Sequence, residues 1–479
     1  MTTRNLSAGQ TTIAAQATAT GNGAIAIIRL SGPMAHQLLG LLFSPTRADF
    51  TDFVPWRLHY GTLHDGTGRR LDEVLCVYMP GPKSYTGEDC AEIHCHGGQL
   101  IVSSILQALF AAGAVPARRG EFSYRAFLNG RMDLSQAEAV AEMIAAPGRQ
   151  ALDQSLRRLD GELARRVGQV RTSLENVRVQ MSLAVDFPED EVEILGREDF
   201  LVRVQAAQKA LNELLTGFAR ASVLQNGAKV VLAGSVNAGK SSLMNALLGR
   251  NRALVTDVPG TTRDFLEESV LFEDLPVRLV DTAGVRESTD FVEAQGIARS
   301  REQIAAAQCL VLVVDGAALG EEGWTAPVCP DPVVRDLLQT ENDTPRVVLW
   351  NKVDCYRPDP SFGAAPAWCT QTNHVVSCLC VSAQTGENLD LACSRIRSAI
   401  LDPLPEQEAD VAPNDRQAAA LHKASRALDA LVRDIEAGQL YDLLSVHLDT
   451  CCSHLDDVIG VGTAQDVLNR VFESFCIGK

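Results

Sequence analysis

Leu152, Leu156, Leu159, Leu163, Val167, Val170, Leu174 and Val177 recur at steps of three and four, the stripe of one long helix with a single buried face. The same spacing returns near the end of the chain in Leu421, Ala424, Leu428, Leu431 and Ile435. Between these stretches the period changes. From 227 to about 402 apolar strand-like runs alternate with helical pattern, which predicts a doubly wound α/β sheet. Residues 1–131 mix short runs such as Val74-Leu75-Cys76-Val77-Tyr78-Met79 with Gly/Pro turns and a few helical stretches, the pattern of an α+β domain. Within them, Ala24 to Leu30, closed by Ser31-Gly32-Pro33, reads as a strand and turn. The expectation is therefore a multidomain chain: an α+β domain over 1–131, a helical segment over 132–226 broken by the acidic loop Asp186 to Glu191, a sheet domain over 227–402, and a helical segment over 403–479. If the last segment packs on the earlier helices, the helical domain is discontinuous and the sheet domain is an insertion.

Composition narrows this only a little. With 46% hydrophobic and 22% charged residues, the 479-residue chain has the make-up of folded domains, and disorder, collagen and small disulfide scaffolds are excluded. The 60 acidic against 43 basic residues give a net charge of −17, so any grip on nucleic acid must be local or shared with a partner. Thirteen irregularly spaced cysteines read as reduced thiols of a cytoplasmic protein, and no apolar run reaches the ~18 residues a bilayer span needs. The acid-free first 48 residues resemble a transit peptide only in composition, because the Ala24 strand belongs to the fold.

The strongest chemical signal lies in the sheet domain. Lys229 to Ala233 is a buried-strand pattern that runs into Gly234-Ser235-Val236-Asn237-Ala238-Gly239-Lys240-Ser241, a GxxxxGK[ST] phosphate loop in its strand–loop–helix setting. Backbone N–H groups of Ala238 and Gly239 turn toward phosphates, Lys240 supplies a cation to the β- and γ-phosphates, Ser241 offers a hydroxyl to Mg²⁺, and the helix from about Ser242 points its positive end at the anion. Asp281-Thr282-Ala283-Gly284 closes the next apolar strand, where a carboxylate reaches Mg²⁺ through water and a glycine amide senses the γ-phosphate. Asn351-Lys352-Val353-Asp354 follows another strand, and Asp354 accepts from the N1–H and 2-amino group that guanine has and adenine lacks. Ser382-Ala383 supplies a last base-contacting loop. Four motifs in this order predict GTP as the ligand. A dinucleotide fold is the alternative for the sheet, and it fails for want of GxGxxG.

Two features set this domain apart. Val285 stands where small signalling GTPases carry a water-orienting glutamine, so Glu293 is the candidate for that task, its plain alternative being one more acid on a solvated loop with Glu287 and Asp290. In the 255–264 segment, Thr262 suits Mg²⁺, and the carbonyls of Thr256 and Val258 with the Asn237 side chain make a hard-oxygen set for a monovalent cation.

Ala14-Ala15-Gln16-Ala17-Thr18, Ile28-Arg29-Leu30-Ser31-Gly32, Ser84-Tyr85-Thr86-Gly87-Glu88-Asp89, His94-Cys95-His96-Gly97-Gly98, Gly120-Glu121-Phe122-Ser123, Arg125 to Gly130, Gly260-Thr261-Thr262-Arg263-Asp264 and the terminal Phe475-Cys476-Ile477-Gly478-Lys479 are further motifs, spread over the whole chain. With the GTPase motifs they carry a resemblance to the MnmE (TrmE) family of tRNA-modifying GTPases. It implies a Ras-like G domain and modification at C5 of the wobble uridine of certain tRNAs, adding a carboxymethylaminomethyl-type group. It also implies a homodimer working with an FAD-containing MnmG (GidA) partner as a heterotetramer, and a tetrahydrofolate derivative, in 5-formyl or methylene form, as one-carbon donor. Hydrolysis in the family needs K⁺. By resemblance the K⁺ shell is Asn237, Thr256, Val258 and Thr261, Mg²⁺ goes to Ser241 and Thr262, and Glu293 becomes the catalytic glutamate. The folate falls to Arg29, Glu92 and Arg131 of the N-terminal domain, which also carries dimerisation, and to the terminal Lys479.

Other features take plainer readings. His94, Cys95 and His96 alternate faces on a strand and cannot converge on one zinc ion, and the adjacent Cys451 and Cys452 cannot bridge each other without strain. For Cys476 two readings stand, a reactive thiol near the folate or a packing residue. Two other functions compete with the main one. A ribosome-assembly GTPase of the Era or EngA kind would carry a basic RNA-binding module, which −17 disfavours, and a folate enzyme with a regulatory G domain would act without a flavin partner.

Overall fold

The computed structural model describes residues 11–186, 196–251, 267–281, 302–340, 343–372, 374–405 and 411–479. They group into two compact units, each treated separately below: Met1–Ile144 with Leu156–Gln208 and Ala420–Lys479, and Ala145–Ser155 with Lys209–Ala419. Among the described residues no helix is long and apolar enough to cross a membrane.

The first unit opens with a seven-stranded sheet made of β1 (Ile13–Gln16), β2 (Ile25–Ser31), β3 (Phe43–Pro45), β4 (His59–His64), β5 (Arg70–Met79), β6 (Cys90–His96) and β7 (Val115–Pro116), in the order β3-β4-β5-β6-β2-β1-β7. Every neighbouring pair is antiparallel except β1 with β7. Alternation along β2 buries Ala26, Ile28 and Leu30 against the helices Ala35–Leu42 and Gln99–Ala111, with Leu38, Leu39 and Ile105. Arg29 therefore stands on the other face, and the register sets it opposite Glu92. Phe122, from the helix Glu121–Leu128, packs with Ile13 and Ala15.

The helices after residue 148 depart from the periodicity in one place. The stripe from Leu152 to Val177 is divided between two helices, Arg149–Leu159 and Glu162–Asp186, separated at Asp160-Gly161. The step from Leu159 to Leu163 stays in phase with 3.6 residues per turn, so the pattern runs through the break unmarked. The helix Glu162–Asp186 packs along Tyr441–Ile459, tied by Arg171 to Asp456 and by Arg178 to Asp449 at 3.0 Å. In the C-terminal helix Asp415–Glu436, Leu421, Ala424, Leu428, Leu431 and Ile435 are all buried.

The second unit is built on β8 (Ala228–Ala233), β9 (Glu267–Phe272), β10 (Leu275–Asp281), β11 (Cys309–Asp315), β12 (Arg346–Asn351) and β13 (Val375–Cys380), in the order β13-β12-β11-β8-β10-β9. All neighbours are parallel except the β10–β9 hairpin. Residues 230 to 233, 309 to 314 and 347 to 350 are buried throughout, the continuous apolar runs of strands covered on both faces. From β8 the order proceeds to β10 on one side and β11 on the other. The crevice beyond the carboxyl end of β8 is therefore the topological switch point, the expected place for a ligand.

Candidate functional site

At that crevice β8 passes into the phosphate-loop sequence, and the helix Lys240–Asn251 begins at its lysine. Gly239 has φ +93°, and a Cβ there would lie 2.3 Å from Asn351 Nδ2, so the position admits only glycine. Asn237 holds φ +67°, an unusual conformation that asparagine tolerates better than most residues. Lys240 is buried, and its Nζ donates to the carbonyls of Gly234 at 3.0 Å and Ser235 at 2.8 Å. The Ser241 hydroxyl donates to Asp281 Oδ2 at 2.7 Å. Two hard oxygens from the phosphate loop and the end of β10 thus stand side by side, the donor type that suits Mg²⁺. Ala238 is buried in the sheet core, and Ser242 lies exposed in the first turn of the helix.

One buried amide joins the Gly234–Ser241 loop to the loop at Ser382-Ala383. Asn351 Nδ2 donates to the Ala238 carbonyl at 2.9 Å, while its Oδ1 accepts from the Ala383 N–H at 3.1 Å. The Ser382 hydroxyl donates to Asp354 Oδ1 at 2.5 Å and holds that carboxyl below the usual carboxylate range, which keeps it an ionised acceptor. Lys352, at φ +68°, reaches Asp315 at the end of β11 with 2.6 Å between Nζ and Oδ2. Motif spacing gave no sign of Asp315. Nor did it mark Asp331, which accepts from the Ser235 hydroxyl at 2.7 Å and from Val333 and Val334 N–H at 2.9 and 3.0 Å, fixing the phosphate loop to a helix N-terminus. Thr256, Val258, Thr261, Thr262, Thr282, Ala283, Gly284 and Glu293 lie outside the described residues.

A second constellation forms in the first unit, on the sheet face away from the β2 core. Arg29 places Nε and Nη2 each 2.9 Å from Glu92 Oε1 and lies over the rings of Tyr85 and Phe122, 5.2 and 5.9 Å from their centroids. His94, two residues on along β6 and so on the same face, sets Nε2 3.5 Å from Glu92 Oε2. The His94 ring first, then the Arg29 guanidinium, hold the Glu92 carboxyl below the usual range against the opposing effect of burial. Burial lowers the Lys479 ammonium from its ordinary value, Arg29 adds to that, and Cys476 and Glu92 oppose it. Arg29 and Glu92 are therefore paired through strand register, and the Lys479 ammonium feels the charge of both. Arg131 is exposed and stands beside Gly87, where an added Cβ would come 3.3 Å from its Cγ.

The terminal pentapeptide has a physical reason for its sequence. Phe475 is buried against Phe472, Ile477 bridges antiparallel to Arg119, and Gly478 has φ +94° with room for no Cβ, which would sit 2.1 Å from the Gln16 carbonyl. Cys476 is exposed, so the packing role falls to Phe475. Cys451 is buried and its thiol is pushed up to about 12, which makes it inert. Behind Arg29 lies a network that the sequence did not reveal. Arg125, 2% exposed, donates to Glu88 Oε2 at 2.9 Å, Glu121 Oε1 at 3.0 Å and the Thr11 carbonyl at 2.8 Å, and Ser31 donates to Glu88 at 2.8 Å.

The chain matches known families along nearly its whole length. The family described as "GTP-binding protein TrmE N-terminus" matches residues 12–131, and that described as "MnmE helical domain" matches residues 134–476. A relative from Nitratidesulfovibrio vulgaris (strain DP4), named tRNA modification GTPase MnmE, is 48% identical and covers 98% of this chain and 99% of its own. Another of the same name from Marinomonas sp. (strain MWYL1) is 36% identical over 100% of both chains. Among solved structures, the G domain of the T. maritima FeoB iron transporter covers 36% of this chain and 98% of its own at 23% identity, with a TM-score of 0.25. Two domain matches and relatives collinear from end to end place the chain in the MnmE (TrmE) family of tRNA modification GTPases.

Proposed function

We propose that the chain hydrolyses GTP at the β8 crevice to drive modification of tRNA at C5 of the wobble uridine, with a carboxymethylaminomethyl-type group as product. The observation that carries this reading is the end-to-end relationship to tRNA modification GTPases. The working division is 1–131 for folate and dimer contacts, 132–226 and 403–479 for the helical domain, and 227–402 for the G domain. In the G domain, Asn237 to Ser242 hold the phosphates, and Asn351, Lys352, Asp354, Ser382 and Ala383 read guanine, Asp354 by accepting from the N1–H and 2-amino donors. Thr256, Thr261, Thr262 and Asp281 to Gly284 complete the nucleotide site.

Ser241 and Thr262 hold Mg²⁺, and the Ser241–Asp281 contact at 2.7 Å supports that donor set. Asn237, Thr256, Val258 and Thr261 offer oxygen donors to K⁺. A cation there supplies positive charge to the oxygens on which charge develops as the γ-phosphoryl group leaves. Glu293 orients the attacking water in place of the missing glutamine. In the other unit, the Arg29 and Lys479 cations suit folate carboxylates, the Glu92 carboxylate suits pterin N–H donors, and Arg131 adds a further cation. The tetrahydrofolate derivative serves as the one-carbon donor, a flavoprotein of the MnmG type carries the FAD, and the chain works as a homodimer within that complex.

The test is GTP turnover in K⁺ against Na⁺, with Glu293→Ala alongside. Turnover falls strongly in Na⁺ while nucleotide affinity holds, because the ion acts on the transition state, and Glu293→Ala lowers kcat by about 10²-fold or more with KM little changed. Equal rates in both salts overturn the K⁺ assignment, and a KM effect with unchanged kcat overturns that of Glu293.

A further inference from the structure

Four cysteines of the second unit, Cys329, Cys369, Cys378 and Cys380, belong to one apolar cluster on a single face of its sheet, and none is in a disulfide. Cys378 and Cys380 alternate along β13, the edge strand, and so share that face. Cys369 lies on the short helix Ala367–Thr370, which packs directly on β13. Cys369 is buried and shares that cluster with Cys378 on the strand its helix packs against, while Cys378 itself is only half-buried. Among the described residues no group of three or more His, Cys, Asp or Glu side chains can hold a metal ion, so the chemistry open to these two sulfurs is that of a dithiol.

We propose that Cys369 and Cys378 form a reversible disulfide when the protein meets a hydroperoxide, and that the bond loosens the grip on guanine. The more accessible Cys378 sulfur, as thiolate, attacks the peroxide oxygen. The O–O bond breaks, alkoxide or hydroxide leaves and takes up a proton, and Cys378 becomes a sulfenic acid. The Cys369 sulfur then attacks the Cys378 sulfur. The S–S bond forms, the S–O bond breaks, and the departing hydroxide takes the Cys369 proton as water. Two thiols lose two electrons and the peroxide gains them. The Cys378 thiol, with burial behind it, pushes the Cys369 thiol up, which keeps it protonated and inert until its partner is oxidised.

The consequence for the nucleotide follows from chain continuity. Two separate thiols must close to ~2.05 Å in a disulfide, so β13 or the helix has to shift. β13 runs through Val381 into Ser382 and Ala383, whose bonds to Asp354 and Asn351 shape the guanine side. This consequence rests on the reading of that site as the guanine pocket, whereas the disulfide does not.

The full-length protein is treated with hydrogen peroxide, free thiols are alkylated, and chymotryptic peptides are weighed. Cleavage after Trp368 and Leu379 isolates Cys369 and Cys378 in one peptide without another cysteine. The expected peptide is two hydrogens lighter and unalkylated, and dithiothreitol restores both sites. Dissociation of a fluorescent GDP analogue becomes at least about threefold faster after oxidation, recovers with dithiothreitol, and does not respond to peroxide in Cys378→Ala or Cys369→Ala. A peptide alkylated at both cysteines after peroxide overturns the disulfide. A disulfide with unchanged GDP release overturns the coupling, and a reduced protein that binds no GDP removes the guanine-site reading while leaving the peptide result to decide the disulfide.

Discussion

Asn351→Asp changes one atom type at the point where the two halves of the proposed nucleotide site meet. Oδ1 still accepts from the Ala383 N–H, but the group facing the Ala238 carbonyl turns from an N–H donor at 2.9 Å into an oxygen. Asn351 is 1% exposed, so water does not replace the lost donor. Leaving one buried acceptor unpaired costs about 1–3 kcal/mol, and the new carboxylate facing a carbonyl pushes the figure toward the upper end. Relaxation of the phosphate loop away from the introduced carboxylate is the cheapest response. Nucleotide binding has to reverse it, so the cost appears as affinity. The expected result is a GDP Kd raised roughly 5- to 150-fold at neutral pH, with most of the change in the dissociation rate. Stopped-flow displacement of a fluorescent GDP analogue gives both rates, and a thermal melt without nucleotide separates loss of binding from unfolding. A Kd within twofold of the parent, in a folded protein, refutes the claim that Asn351 couples the loops.

Under the proposed function, Asp354→Asn removes the ionised acceptor for guanine N1–H while keeping the side chain's size. GTP affinity then drops by about 10-fold or more, and the purine whose 2-position carries an oxygen, xanthine, gains, as competition binding with XDP reads out. Arg125→Met strands the Glu88 and Glu121 carboxylates inside the first unit, at an expected loss of about 3–5 kcal/mol in urea titration. Because the Glu92 pKa is lowered in the folded protein, its contribution to stability is present above the usual carboxylate pKa and disappears as pH falls through the folded value. Glu92→Gln is accordingly less stable than the parent at pH 7, and the gap closes below about pH 4 in denaturant melts; a constant gap contradicts the Arg29 and His94 pairing.

Chemistry that depends on neighbouring residues was legible in the sequence, and chemistry assembled by distant pairing was not. The phosphate loop is a local motif because its backbone must turn toward an anion, and glycine and lysine at fixed spacing are what that turn needs. The Lys352–Asp315 pair and the Asp331 anchor join elements many residues apart and leave no periodic trace. Arg29 and Glu92 meet through strand register, 63 positions apart, so only the resemblance to a family connected them beforehand. Hydrophobic period found the helices but not the interruption at Asp160-Gly161, since Leu159 and Leu163 remain in phase across it. The terminal Gly478 reads in the sequence as part of a signature, and its cause, the approach of Gln16, lies at the opposite end of the chain.

Central to the proposed function is the chemical separation of the one-carbon site around Arg29, Glu92 and Lys479 from the GTP site. Lys479→Met tests it most directly, because it removes the terminal cation and keeps most of the buried stem. The measurement pairs nucleoside analysis of tRNA from cells holding only this variant with GTP turnover of the purified protein in K⁺. The prediction is loss of the wobble-uridine modification with GTP turnover within twofold of the parent. Normal modification in the variant, or loss of hydrolysis together with modification, would contradict the separation.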